Sequence, residues 1–510
     1  MREVTAVLGA LSFLWCQQIH AAGTSEASRA SGPVELTCFV RAHDARPLIP
    51  EAPLFKQASA STGVNVKFVT AESNIWIEKF NLMLASGDMT DIVQVDIGNI
   101  NRYARQGVFL PFDESIIATA PNLRKTLTTG TKARLMASDG KIYAMASTGN
   151  ANFGYYGWIV RKDWLEMLGL ETPLTTEQWY ETLKAFTRQD PNGNGKNDEH
   201  GLTSVASVLW RTLAPSFGLH PYCDWDVSAG NVFYVPLQNG YRAMLDFARK
   251  LYQEGLLDPE FAVHSSSTME DLMLSDGAGV AGYFMSRCKR LNDAARSSSD
   301  PRSFEFICAP PPRGPLGYRG VLVTSSVVTS RSVAVSYSCR NPEAAVKWLD
   351  FLWSEEGMVL SNWGVEGLTY SVDALGRRHF LSELGEDPIS SQTAIDLGVF
   401  PLIAMRFDPE LLRKRLRTLY PSMIEASDAA APDYYEPPLS LPFTDEESDH
   451  KNAIQRDLTV FRDEMTLKYV LGQIADWEAV VRQFRKLGVE EYVLIHQAAY
   501  DRYTALCRNL

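Results

Sequence analysis

The run Asp190-Pro191-Asn192-Gly193-Asn194-Gly195-Lys196-Asn197-Asp198-Glu199 carries the most concentrated chemistry in the chain. Oxygen side chains fall at positions 1, 3, 5 and 9, with glycine at position 6. That is the start of a calcium loop, in which alternate side chains converge and glycine permits the sharp turn. Lys196 offers its backbone carbonyl at position 7. Position 12 is Gly201 rather than a bidentate glutamate, and Glu199 takes that role in a shorter loop. The predicted metal set is therefore Asp190, Asn192, Asn194, Lys196, Asp198 and Glu199, a hard-oxygen set suited to Ca²⁺ in a structural role. The competing reading is a solvated Asn-Gly turn closing a helix.

The aromatic residues are the second chemical resource. They make up 11% of the chain, with eleven Trp and twenty Tyr, enough to serve both cores and a site. Indole and phenol rings pack on the apolar C–H faces of sugars, while polar neighbours bind the hydroxyls. Tyr155, Tyr156, Trp158, Trp225, Tyr283, Trp363 and Tyr370 fall near expected strand ends or loops, and core packing competes at each. Arg46, Arg161, Arg287, Arg319 and Arg331 have the planar fork that clamps a carboxylate. The candidate ligand-binding set is His43, Arg46, Tyr156, Trp158, Tyr283, Arg331, Trp363 and Tyr370.

Catalytic signatures are missing. There is no GxSxG elbow, phosphate loop, HExxH or GxGxxG after a strand, and the eight His are dispersed. No enzyme is expected. A hydrolase built on two facing carboxylates is the alternative, since acids are plentiful.

These residues need a scaffold. The 510 residues carry 49 basic and 61 acidic side chains, a net charge of −12, which argues against a broad nucleic-acid footprint. No run of about 20 apolar residues suggests a membrane span. Val4 to Trp15 is short and apolar, and Ala21-Ala22-Gly23 follows it, so residues 1–23 read as an export signal. Cys16 offers a lipid-anchor site, but bulky Phe13, Leu14 and Trp15 precede it where small residues belong. A free periplasmic protein is expected. The other six cysteines are scattered and read as buried thiols.

Val34–Val40, Val64–Val69 and Asp91–Val95 read as strands, with helices at Ala52–Thr62 and Trp76–Ala85 between them. Strand, helix, strand, helix, strand is the α/β pattern. Tyr156–Arg161, Gly279–Met285 and Arg331–Ser336 are further strands. Thr176–Arg188, Tyr241–Glu254, Lys451–Leu471, Trp477–Leu487 and Glu490–Leu506 have helical spacing. Asp428–Pro442 reads as a Pro-rich loop.

Several segments together carry a resemblance. They are Phe80-Asn-Leu-Met-Leu-Ala-Ser-Gly-Asp-Met-Thr-Asp91, Arg161-Lys-Asp-Trp164-Leu, the Asp190 loop, Asn341-Pro-Glu, Ser361-Asn-Trp-Gly-Val-Glu-Gly-Leu-Thr-Tyr370 and Ala499-Tyr-Asp-Arg-Tyr503. In this order they resemble the solute-binding proteins of oligosaccharide ABC importers, closest to the calcium-containing alginate binders and their lipoprotein relatives. Thr90 stands where the family has Pro. The resemblance implies a type II periplasmic-binding-protein fold: two α/β lobes, each a mostly parallel sheet flanked by helices, closing on a ligand in the cleft. It implies lobe 1 from 34–147 and 326–395, and lobe 2 from 148–325 and 396–510. It also implies structural Ca²⁺ at the Asp190 loop, an oligosaccharide ligand, ABC permease subunits as partners, no nucleic acid, and a monomer. Tyr283 falls where an alginate binder has a stacking Trp, and a second such Trp is absent near Met405. This points away from alginate and toward a related acidic oligosaccharide. A ligand sensor for a membrane receptor is a further alternative.

Overall fold

The computed structural model describes residues 32–508, apart from 44–45, 222–223, 298–303, 432 and 437–439. The expected export signal, and with it Cys16, lies outside the described residues. Among the described residues, no helix is long and apolar enough to cross a membrane.

Two sheets organise the chain. The first contains β1 (Val34–Ala42), β2 (Val64–Glu72), β3 (Ile92–Val95), β4 (Met145–Thr148) and, from far downstream, β9 (Val327–Val335). The second contains β5 (Tyr156–Arg161), β6 (His200–Ser204), β7 (Ala278–Phe284) and β8 (Phe306–Ala309). Their orders are β2-β1-β3-β9-β4 and β8-β5-β7-β6.

Both sheets are mixed, which corrects the expectation of mostly parallel sheets. In the first, β1 runs parallel to β2 and β3, whereas β9 is antiparallel to β3 and β4. In the second, only the β6–β7 pair is parallel. The reason lies in connectivity. Helical crossovers bring β1, β2 and β3 back in one direction, while β9 enters the first sheet from the opposite side, returning from the second.

Local sequence explains the helices that cover these sheets. Pro53 opens Pro53–Thr62 and Gly63 closes it at φ 73°, where only a residue without Cβ sits at little cost. Thr175 caps Thr176–Arg188 in a reciprocal box with Gln178, and Thr444 does the same with Glu447 for Asp445–Val470.

The apolar residues collect into separate cores. The first takes residues 36–146, 327–353 and 403–404, and contains the stacked rings of Phe39, Trp76 and Phe80, 5.7 and 5.5 Å apart. The faces of the second sheet are covered by two further clusters. One packs Trp158 on Trp179 at 4.9 Å and draws in Leu458 to Tyr492 from the C-terminal helices. The other spans Ala151 to Ala430. Of the described cysteines, Cys38, Cys288, Cys308 and Cys339 are buried free thiols and Cys507 is a half-buried one.

The chain passes between the cores at three places, which lie side by side. Residues 149–154 run beside 323–327: Asn150 N donates to Ser326 O at 3.2 Å and Thr324 N to Phe153 O at 3.0 Å. Residues 403–407 lie against Thr148, whose N–H donates to Met405 O at 3.2 Å and whose carbonyl accepts from Phe407 N at 2.7 Å. The third change of core thus falls between Ala404 and Met405, beyond residue 395.

His496, on the last helix, is 2% exposed and packs on Tyr492, Trp225 and Phe443. Its Nδ1 bonds Tyr492 O at 2.8 Å. Burial, with Lys451 adding to it, pushes its pKa down to about 4. A base whose folded pKa lies below its unfolded value near 6.5 favours folding above 6.5 and loses that advantage as pH falls toward 4. The stake is about 3 kcal/mol. Thermal melts of the wild type and His496→Gln between pH 7 and 4 will show the wild type losing stability relative to the variant. Parallel curves would refute this.

Candidate functional site

A cavity of about 500 Å³ opens on the second-sheet side, lined by Ser207, Trp210, Arg211, His220, Asp224, Tyr241, Gln455 and Arg462 among others. Trp210 and Arg211 sit on the helix Ala206–Leu213, which leaves the carboxyl end of β6. This is where open α/β sheets place ligands. Trp210 is half-buried, its ring edge-on to Phe261 at 6.0 Å. Arg211 Nη1 donates to Tyr156 Oη at 2.8 Å, so a buried phenol orients the guanidinium. Asp224 pairs with Arg462 of the long helix.

Aromatic side chains continue from the cavity along its rim. His220 stands edge-on to Tyr435, and its Nε2 lies 2.9 Å from Glu436 O. Tyr318 is 52% exposed. A Cβ on Gly218 would meet the Tyr318 ring at 2.8 Å, and one on Gly320 would meet the Tyr435 ring at 2.6 Å. Glycines at 218 and 320 therefore let two rings lie flat on backbone. Burial and the neighbouring Asp226, Asp433 and Tyr318 push the Tyr435 phenol up to about 12, so it stays a neutral donor. Arg134, from the first-sheet side, reaches over to ion-pair with Glu436. The rim thus touches both halves of the molecule.

The predicted ligand residues divide into two groups. Trp158 and Tyr283 are each 2% exposed. Trp158 is stacked on Trp179, and the Tyr283 hydroxyl bonds Ser266. Tyr156, Trp363 and Tyr370 are buried as well, the last two in a small cluster with Ile389 and Leu411. Trp158, Tyr283, Tyr156 and Trp363 are packed inside, whereas Tyr370, though buried, lines a separate cavity with Pro53, Val359 and Arg378. Large apolar area drives these rings inward, and alternation along a strand does not say which face is covered on both sides. His43, Arg46 and Arg331 gather instead at the carboxyl edge of the first sheet. Arg161 is also interior, locked between Asp163 and Asp276 at 2.5 and 2.7 Å.

Sequence reasoning overlooked Trp210, Arg211, His220, Tyr318 and Tyr435. The available signal for the first two was position: an aromatic–basic pair immediately downstream of a strand's carboxyl end. For Tyr318 and Tyr435 it was a nearby glycine that lets a ring approach backbone.

The Asp190 loop folds its side-chain oxygens around its own backbone N–H groups. Asp190 Oδ1 accepts from Asn194 N at 3.0 Å and its Oδ2 from Gly195 N at 2.8 Å. Asn192 Oδ1 accepts the same Asn194 N–H at 2.9 Å, and Asn194 Oδ1 accepts from Lys196 N at 2.7 Å. Glu199 is 2% exposed, and neither of its carboxylate oxygens has a hydrogen-bond partner. Burial, with Asp198 and Asp190 nearby, pushes its pKa up. An orphaned interior carboxylate beside two more acids is a costly arrangement unless a cation joins it. The donor set therefore fits a hard divalent ion. Among the described residues, no three His, Cys, Asp or Glu side chains stand as a ready metal cluster, so amide and carbonyl oxygens must complete the set.

The profile of the bacterial extracellular solute-binding proteins matches residues 46–359. The chain belongs to this family. It is 27% identical over 506 residues to the fructooligosaccharide ABC transporter substrate-binding protein FusA of Streptococcus pneumoniae, covering 90% of this chain and 89% of that one. It is 24% identical over 499 residues to the polygalacturonan/rhamnogalacturonan-binding protein YtcQ of Bacillus subtilis, covering 94% of each. The crystal structure of the alginate-binding protein AlgQ2 without calcium ion superposes with a TM-score of 0.70 at 23% identity, over 92% of this chain and 99% of that one. The solute-binding protein therefore has the type II periplasmic-binding fold.

Burial separates core rings from site rings in a measurable way. Trp158→Ala will cost about 3–5 kcal/mol in denaturant unfolding, as for other buried large-to-small changes. Tyr318→Ala will cost about 1 kcal/mol or less. Equal losses would contradict the placement.

Proposed function

We propose that this protein captures an oligosaccharide outside the cytoplasm, between two lobes built on the two sheets, and hands it to the membrane subunits of an ABC importer. The observation that carries this reading is the cavity with its aromatic rim. Trp210, Tyr318 and Tyr435 supply ring faces, and Arg211, His220, Asp224 and Gln455 supply hydrogen-bonding groups around them. That combination suits polyhydroxylated rings with apolar faces. The family membership and the sugar-binding names of FusA and YtcQ support it.

In this reading the lobes meet at the three crossing segments, which act as the hinge. Few residues need change dihedral angle there, so two rigid cores rotate and close on the ligand. Ligand contacts with both lobes shift the balance to the closed form. The protein acts as a binder and leaves its ligand intact. Isothermal titration with a panel of oligosaccharides will give heat with at least one class, and Trp210→Ala will weaken that binding about tenfold. Chromatography of the incubated sugar will show unchanged chain lengths. Shortened chains, or no heat across the panel, would sink the proposal.

The Asp190 loop is the calcium site of this reading, held by Asp190, Asn192, Asn194, the Lys196 carbonyl, Asp198 and Glu199. The ion's part is structural: it neutralises the interior Glu199 carboxylate and fixes the loop leading into β6. At a calcium concentration of 100 times Kd the ion adds about 2.7 kcal/mol of stability. Chelator will therefore lower the melting temperature of the wild type and leave that of Glu199→Gln unmoved. A wild-type melt indifferent to chelator and to added Ca²⁺ would remove the site.

A further inference from the structure

Three arginines drawn into the interior of this protein meet carboxylates. Arg161 lies between Asp163 and Asp276 at 2.5 and 2.7 Å. Arg415 sits bidentate on Asp387 at 2.7 and 2.6 Å. Arg502 grips Glu447 at 2.9 and 2.6 Å. The physical reason is general: a desolvated cation is expensive unless an anion shares the site.

Arg331 differs from these three. It is half-buried, and among the described residues its guanidinium has no ion pair and no hydrogen bond; the residue's own carbonyl accepts from Ser147 Oγ at 3.3 Å. The charge that acts on it is another cation, Arg46. Arg46 spends its guanidinium on neutral acceptors: Val399 O at 2.9 Å, Ile389 O at 2.6 Å and Ser390 Oγ at 3.4 Å. Asp387, the carboxylate within the electrostatic reach of Arg46, is already taken by Arg415. Among the described residues, two guanidiniums, Arg46 and Arg415, thus share one carboxylate and Arg331 has none, in a chain with twelve more acids than bases. Burial and Arg46 both push the Arg331 pKa down, the direction expected where a cation lacks an anion.

Its backbone is built to hold this position. On β9, the register against β4 jumps between Val328 and Ser332, so Thr329, Ser330 and Arg331 bulge out of the ladder. Bulges re-aim side chains and recur beside functional sites. Ser332 Oγ closes the bulge on Thr329 O at 2.9 Å. The Ser147 hydroxyl that binds Arg331 O also accepts from Met405 N at 3.1 Å, tying the bulge to a crossing segment. Ser332 pairs with Val95, so Arg331 lies just past the carboxyl end of β3. Arg46 follows the carboxyl end of β1. Both stand at the sheet edge where this architecture receives ligands.

We propose that Arg331, supported by Arg46, is a carboxylate-binding subsite, and that the oligosaccharide taken by this protein carries an acidic sugar there. This rests on the sugar-capture reading and narrows it to uronate-type ligands. The guanidinium fork matches a carboxylate in two parallel N–H···O bonds. A neutral sugar would leave the charge uncompensated when the lobes close.

The test is calorimetry on the folded full-length protein, with oligogalacturonates and alginate oligomers, the same oligomers with carboxyls reduced to alcohols, and neutral fructooligosaccharides. We expect the wild type to bind an acidic oligomer at least about tenfold more tightly than its reduced form. Arg331→Gln will lose at least that factor on the acidic form and little on the reduced form, and Arg331→Lys will fall between. Melting curves establish that each variant is folded. If Arg331→Gln does not fold, Arg46→Gln will show the same selective loss. Equal wild-type affinity for acidic and reduced oligomers, equal loss on both in the variant, or binding of neutral sugars alone would overturn the subsite while leaving sugar capture standing. No binding to any member of the panel would overturn both.

Discussion

The crossing at Thr148 is the constraint on which the rest of the structure depends. Its N–H and carbonyl are both held by the segment 405–407. Its hydroxyl accepts from the buried Trp353 indole at 3.2 Å. The next residue, Gly149, has φ +81° and lies so close that a Cβ would stand 2.5 Å from Phe407 O. Only glycine allows two crossing backbones to meet there. With the third segment, 323–327, alongside, the two sheets are fixed as neighbours through backbone hydrogen bonds rather than through a shared apolar core. A junction of that kind holds position firmly and resists rotation weakly.

The polar chemistry is arranged around this junction. The same Ser147 hydroxyl serves Arg331 and Met405, so the charged edge of the first sheet and the crossing are one hydrogen-bonded unit. On the other side, the buried Tyr156 holds Arg211 in the cavity. Side chains that touch a ligand are thus placed by buried residues whose own freedom is gone, the arrangement that lowers the cost of binding. The Asp190 loop stands apart from this unit, between a capped helix and β6, and acts on local rigidity.

Fold class was legible in the sequence because period and punctuation are local. Val34–Val40 reads as a strand from alternation alone, and Gly87 after Trp76–Ala85 marks a helix end that the structure closes with a left-handed glycine. The loop geometry at Asp190 was legible for the same reason: its hydrogen bonds span five residues or fewer. Sheet parity was not. Whether β9 enters parallel or antiparallel depends on where the chain has been since residue 148, which no window of residues records. The aromatic site was misread for a related reason. Trp158 and Trp210 are both Trp near a strand of one sheet, yet one stacks on Trp179 and the other faces a cavity. Trp158 is covered by the helix Thr176–Arg188, whereas the cavity at Trp210 is completed by Gln455 and Arg462, some 245 residues further on. The arginines were legible as a type, but the lack of a partner at Arg331 is a property of three-dimensional neighbours.

The discontinuous cores carry a consequence for how the chain acquires its structure. The first core needs residues 36–146, then 327–353, then 403–404. One cluster of the second sheet needs residues up to Tyr492. The first core cannot close before residue 404 is made, nor the second before Tyr492, so the usual N-terminal-first order is pushed late into synthesis. The second half stays open until almost its last helix is available. A polypeptide that must be threaded through a membrane before it folds meets that requirement by its connectivity alone, since premature closure of one half has no complete core to stabilise it.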